Sequence, residues 1–217
     1  GLHWYYPARG DFDECEIDAS GRFLVIKENV DGRNGEDNRI IDLVTGQEKM
    51  LFDPQGAGGH SNNGYELMVA ADNFNPLPDA VRVWSLAGSF DGHNNGLVVY
   101  HNPRWDTGLV GLHTSFLNGR SLTPLRDQYA CNSSLSKSDI ARGNEIYCYP
   151  LDGSFKVLVV APVMTDLSAS GGGENYYKSP KGMLDVTGKY MLFTSNLGTN
   201  RLDAFLVKIP SQLLLNE

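Results

Sequence analysis

Cationic side chains are scarce in this 217-residue chain: 18 Lys and Arg stand against 26 Asp and Glu, a formal net charge of −8. A surface of that sign repels a phosphate backbone before any base can be read, so nucleic acid is not an expected partner. Long hydrophobic runs are missing as well. A bilayer span needs roughly 18 apolar residues. The most apolar run, Phe155–Met164, is ten long and contains a Lys and a Pro, so membrane insertion is not expected. The opening Gly-Leu-His-Trp shows neither the basic nor the apolar segment of a secretion leader.

Three cysteines are too few for a disulfide-built scaffold and lack zinc-ribbon spacing. Cys131 and Cys148 can pair if their strands are neighbours, which leaves Cys15 single. Gly-x-Ser-x-Gly is absent, and with it the hydrolase elbow. Ser168–Gly173 is glycine-rich but is neither a Walker nor a dinucleotide fingerprint. Cys-x-x-Cys-His is absent, which excludes a c-type haem. Asn132-Ser133-Ser134 is a glycosylation sequon; with the cysteine pair it gives the expectation of an exported protein, periplasmic or extracellular.

What the chain has is punctuation. Its 24 glycines and 10 prolines separate short runs rich in Val, Ile, Leu, Phe and Tyr, the all-β pattern. Helical apolar periodicity never extends beyond about a dozen residues. One strand type recurs at 38–43, 80–86, 144–151 and 201–207. Three of these end in Leu and a turn, Thr45-Gly46, Ala87-Gly88 or Asp152-Gly153, and a second apolar strand follows. Glycine there supplies the positive φ of a tight hairpin. A turn-plus-strand unit recurs as Asp18-Ala-Ser-Gly-Arg-Phe-Leu and Asp185-Val-Thr-Gly-Lys-Tyr-Met, in which Asp caps the turn and Gly closes it. A small-residue start recurs at Gly1-Leu-His3, Gly59-His60, Gly111-Leu-His113 and Gly171-Gly-Gly-Glu174, with steps of 57, 53 and 61 residues. The spacing predicts four units of three or four antiparallel strands, approximately 1–58, 59–110, 111–170 and 171–217. A single helical turn is expected within 136–142, with Ser136 as its cap.

The Asp-x-(Ser/Thr)-Gly-(Arg/Lys)-aromatic-Leu turn, formed in unit one and, with Met191 in the Leu place, in unit four, resembles the blade signature of TolB-like and WD40-like β-propellers. Units two and three have Asn63-Gly64 and Asn118-Gly119-Arg120 in its place. The resemblance implies an all-β propeller of about four blades in this chain. Two readings of that number follow. The chain is part of a seven- or eight-blade propeller, whose other blades are then its partner. Otherwise it is a domain that closes alone or with a second copy, since an open half-propeller exposes strand edges.

In propellers the first strand of each blade lines the central channel. The resemblance therefore places His3, His60, His113 and Glu174 at the channel mouth. Three imidazoles and a carboxylate there would make a divalent-metal site or an acid/base pair. Packing between blades would repeat the same positions just as well. Exported propellers include the oligogalacturonate lyases, and likeness to them would make His60 and His113 base and ligand. Arg104, Arg120 or Arg201 would neutralise a uronate carboxylate and acidify the proton to be removed. Aromatic residues give a second signal: Trp4, Tyr5 and Tyr6, Trp105, and Tyr176 with Tyr177 are placed to stack on sugar rings. Trp84 reads as core. The function expected is a binding platform for carbohydrate or a protein partner. The alternatives are a polysaccharide lyase or hydrolase using His60, His113 and Arg120, and a scaffold with no small-molecule site.

Overall fold

The computed structural model describes residues 4–33, 35–72, 77, 80–90, 96–101, 109–171, 173 and 175–215. These form four antiparallel meander sheets. The first joins β1 (Asp11–Ile17), β2 (Phe23–Asn29), β3 (Asp37–Asp42) and β4 (Glu48–Leu51). The second joins β5 (Gly58–Asn63), β6 (Leu67–Asp72), β7 (Ala80–Ser85) and β8 (Leu97–His101). The third joins β9 (Leu109–Ser115), β10 (Tyr129–Ser136), β11 (Glu145–Pro150) and β12 (Leu158–Pro162). The fourth has three strands, β13 (Met183–Leu184), β14 (Tyr190–Ser195) and β15 (Asp203–Lys208). No α-helix occurs among the described residues. Each sheet starts with its innermost strand, and residues of β1, β5, β9 and β13 line one central cavity. The fold is a β-propeller of four blades.

The turn chemistry explains the meander. Gly21, Gly46, Gly153 and Gly188 close their turns at φ between 72° and 74°, where a side chain would be strained. Asp18 accepts backbone N–H bonds from Ser20, Arg22 and Phe23 of its own turn, and another from Glu66 of the next blade. Asp185 likewise accepts from Thr187 and Tyr190. Gly88 does not share the positive φ expected of it. Its N–H bonds to Ser85 O at 3.0 Å, and a Cβ there would lie 3.1 Å from the same oxygen.

Alternate residues of each sheet bury against the neighbouring blade. Phe23, Val25 and Ile40 of blade one meet Met68, Ala70 and Trp84 of blade two. Val69, Val81 and Tyr100 meet Leu112, Tyr147 and Tyr149. Ile146 and Val163 meet Leu184, Met191 and Phe193. Each such side chain contributes about 1.5–3 kcal/mol on leaving water. Between blades four and one the described residues form no comparable apolar cluster. Phe12 and Ile17 of blade one, and Leu192 and Leu206 of blade four, stay largely exposed.

Two sequence readings change here, and the expected cysteine pairing is met. Residues 136–142 hold no helical turn: Ser136 ends β10, its hydroxyl accepts the Ser138 N–H at 3.1 Å, and Arg142 takes a left-handed φ of 66°. The sequon is not a surface loop. Asn132 is wholly buried on β10, donating to the Tyr147 hydroxyl at 3.1 Å and accepting from the Tyr149 hydroxyl at 2.7 Å. Cys131 and Cys148 lie opposite each other on β10 and β11 and form a disulfide, while Cys15 is free.

Candidate functional site at the channel mouth

The inner strands are regular except near their starts. β1, β5 and β9 each skip one residue of the ladder, at Asp13, Gly59 and Val110. Such bulges twist a strand and re-aim the side chains beside them. Glu14, His60 and His113 follow these bulges and line a cavity of ≈ 200 Å³ on the channel axis. Blade four completes the wall with Lys181 and Met183.

Serine side chains hold the approach to blade four. Ser133 Oγ donates to Pro180 O at 2.7 Å and accepts the Gly182 N–H at 2.9 Å. Lys178, itself buried, caps the carbonyls of Leu167 and Ala169. A Cβ at Gly111 would lie 2.2 Å from Ser179 Oγ, so glycine is required for residues 175–179 to lie against β9. That close approach sets Tyr176 beside His113, ring centroids 6.1 Å apart. Tyr177 packs edge-on to Tyr176 at 6.2 Å, and Lys181 Nζ stands 5.2 Å from the Tyr176 ring centroid and 5.7 Å from that of Tyr177.

His60 and His113 come together as the repeat spacing implied, with ring centroids 5.0 Å apart and planes inclined by 34°. Burial first, then the Lys27 charge, lowers the His60 pKa. Burial first, then His60 and Lys181, lowers that of His113 to about 4, against an opposing hydrogen bond with the Pro180 backbone. Both imidazoles are neutral at pH 7. Burial raises the Glu16 carboxyl against the attraction of Lys27, and burial followed by Asp13 raises that of Glu36. The site thus holds two neutral bases next to carboxyls that resist ionisation, a pairing suited to proton transfer or to hydrogen-bonding a polar ligand.

The other sequence candidates lie elsewhere. Trp4 and Tyr5 are exposed, at 62% and 86%, in the segment before β1. Arg201 pairs with Asp203 beside the start of β15. Arg120 lines a different cavity with Asn118, Gln128, Thr187 and Lys189, where β9 and β13 leave the channel rather than where they start. Its guanidinium therefore does not reach the histidine pair, and among the described residues no arginine lines the channel cavity. His3, Arg104, Trp105 and Glu174 lie outside the described residues. The strand that lines the channel in blade one begins at Asp11, well beyond His3. Among the described residues no three His, Cys, Asp or Glu converge to hold one metal ion, so no step is assigned to a metal here. Sequence reasoning missed Glu14, Glu16 and Lys181. The alternating acids of Asp11-Phe-Asp-Glu-Cys-Glu16, directly before the Asp18 turn, were the signal for the first two.

No protein-family model and no curated protein sequence matches this chain. Solved structures do resemble it. A prolyl endopeptidase matches with a TM-score of 0.58 at 16% identity, over 92% of this chain and 26% of that one. The β-propeller domain of the trilobed protease from Pyrococcus furiosus matches with a TM-score of 0.48 at 10% identity, over 93% of this chain and 58% of that one. An oligogalacturonate lyase solved in complex with manganese matches with a TM-score of 0.41 at 13% identity, over 96% of this chain and 68% of that one. The chain spans about a quarter of the prolyl endopeptidase. At such identities the likeness bears on the fold alone.

Proposed function

We propose that this chain is a β-propeller binding platform whose channel mouth takes a saccharide. One observation carries the reading: three blades bring His60, His113 and the half-exposed Tyr176 to one mouth, with Tyr177 extending the aromatic surface. Ring C–H groups of a pyranose pack on such faces, and neutral imidazoles exchange hydrogen bonds with hydroxyls in either direction. Titration calorimetry with neutral oligosaccharides tests it. Saturable binding weakened by Tyr176→Ala and by Tyr177→Ala supports the reading; no binding by any oligosaccharide refutes it.

A second reading is an enzyme acting on the bound saccharide, favoured by the depressed pKa of His113. A neutral imidazole poised as a base beside a carboxyl whose ionisation is opposed by burial fits both lyase and hydrolase chemistry. The release of unsaturated or reducing ends, lost in His113→Ala, distinguishes it from binding alone. For setting, we propose an exported propeller of the TolB-like type. The Asp18 and Asp185 turns and the Cys131–Cys148 disulfide support this, since disulfides persist in oxidising compartments.

A further inference from the structure

We propose that the channel mouth selects a saccharide carrying a protonated amine over its N-acetylated or uronate counterparts, an inference that rests on the saccharide reading above. Its ground is the state of the carboxylates. Glu14 is neutralised by the Lys27 ammonium, which is itself buried and also bonds Gly59 O at 2.8 Å. Glu16 and Glu36 feel the same ammonium without an ion pair to it, and although Asn62 and Asn63 bond Glu16, each of the two buries one carboxylate oxygen, Oε2, that has no hydrogen-bond partner. The Ser61 hydroxyl, on a residue only 6% exposed, lines the channel cavity together with Glu16 and is also without a partner. Buried acceptors without donors are costly, and a cationic donor recovers more than a neutral one.

Among the described residues no three ligating side chains converge on one point to hold a bare metal ion. The matching group is an organic cation with several N–H donors. Ring position points the same way. The phenol of Tyr176 lies in the field of Asp13, Glu14 and Glu36, so a sugar stacked on that ring places its substituents among carboxylates. A uronate there meets the charge of Asp13 and Glu36, which Lys27 does not pair, with Lys181 the cation lining the cavity among the described residues.

The test uses the whole chain and three oligomers of equal length: glucosamine with its amines protonated, N-acetylglucosamine, and galacturonate. Calorimetry at low salt is expected to give about tenfold tighter binding of the amine form than of the N-acetyl form. That ratio falls toward one in high salt, and also in Glu16→Gln and Glu36→Gln proteins that retain the parent unfolding midpoint. The salt series needs no variant and stands if either substitution unfolds the chain. Equal affinity of the amine and N-acetyl forms at low salt, or tightest binding of the uronate, overturns the amine preference while leaving the saccharide reading intact. Failure of all three to bind overturns both.

Discussion

His60 and His113 face each other across the boundary between blades two and three, ring centroids 5.0 Å apart, though 53 residues separate them in the chain. Each is the other's near neighbour in a half-dry cavity, so protonating one raises the cost of protonating the other. Burial is the main cause that lowers both pKa values, reinforced by the Lys27 charge at His60 and by His60 and Lys181 at His113.

The pH dependence follows. The His113 pKa falls from 6.5 unfolded to about 4 folded, so between those values the unfolded chain binds the extra proton. Stability is constant above 6.5 and is lost as pH falls toward 4, by about 3 kcal/mol for this residue. Glu16 and Glu36, raised by burial, act in the opposite sense, stabilising where they stay protonated and losing that contribution as pH rises. The difference between parent and His113→Gln urea midpoints across this range isolates the histidine. A midpoint difference that does not vary with pH would contradict the assignment.

Asn132 joins the hydroxyls of Tyr147 and Tyr149 inside the third blade. Asn132→Ala removes one hydrogen bond from each of two buried phenols, and a loss of about 2–4 kcal/mol is expected in urea unfolding. The folded chain should also resist N-glycosylation at this sequon, which mass spectrometry of protein from a glycosylating host checks.

The Cys131–Cys148 disulfide closes a loop with a sequence separation of 17 residues. Replacing both with Ser should cost about 3 kcal/mol through the unfolded state. Reduction of the parent should lower its midpoint to that of the double variant, and an unchanged midpoint would mean that the bridge carries no stability.

Tyr177 is 57% exposed, so Tyr177→Ala should leave the unfolding midpoint within about 0.5 kcal/mol of the parent. Its effect belongs to the ligand: a loss of about 1 kcal/mol, a several-fold weaker Kd, is expected with neutral oligosaccharides.

Much of this was readable in the sequence. The turn glycines Gly21, Gly46, Gly153 and Gly188 marked the blade turns because only a few residue types tolerate their φ. The Gly-His starts of units two and three marked strands that do reach the channel. In blade one His3 lies outside the described residues, and the inner strand begins at Asp11. Glu14 and Glu16 of β1 line the cavity, at positions the repeat spacing did not mark. Lys181 was illegible for a related reason: its place depends on Ser133 of the preceding blade holding Pro180 and Gly182, a contact no local pattern encodes. Arg120 looked catalytic by residue type alone, and the loop after β9 carries it to the other rim.

The most direct test of the channel-mouth assignment is a chemical-shift map of the labelled chain during titration with a saturating oligosaccharide. The account predicts perturbations concentrated at His60, His113, Tyr176, Tyr177 and Lys181, drawn from three blades and meeting at one point. Perturbations centred on Asn118, Arg120 and Lys189, or spread evenly over the surface, would contradict it.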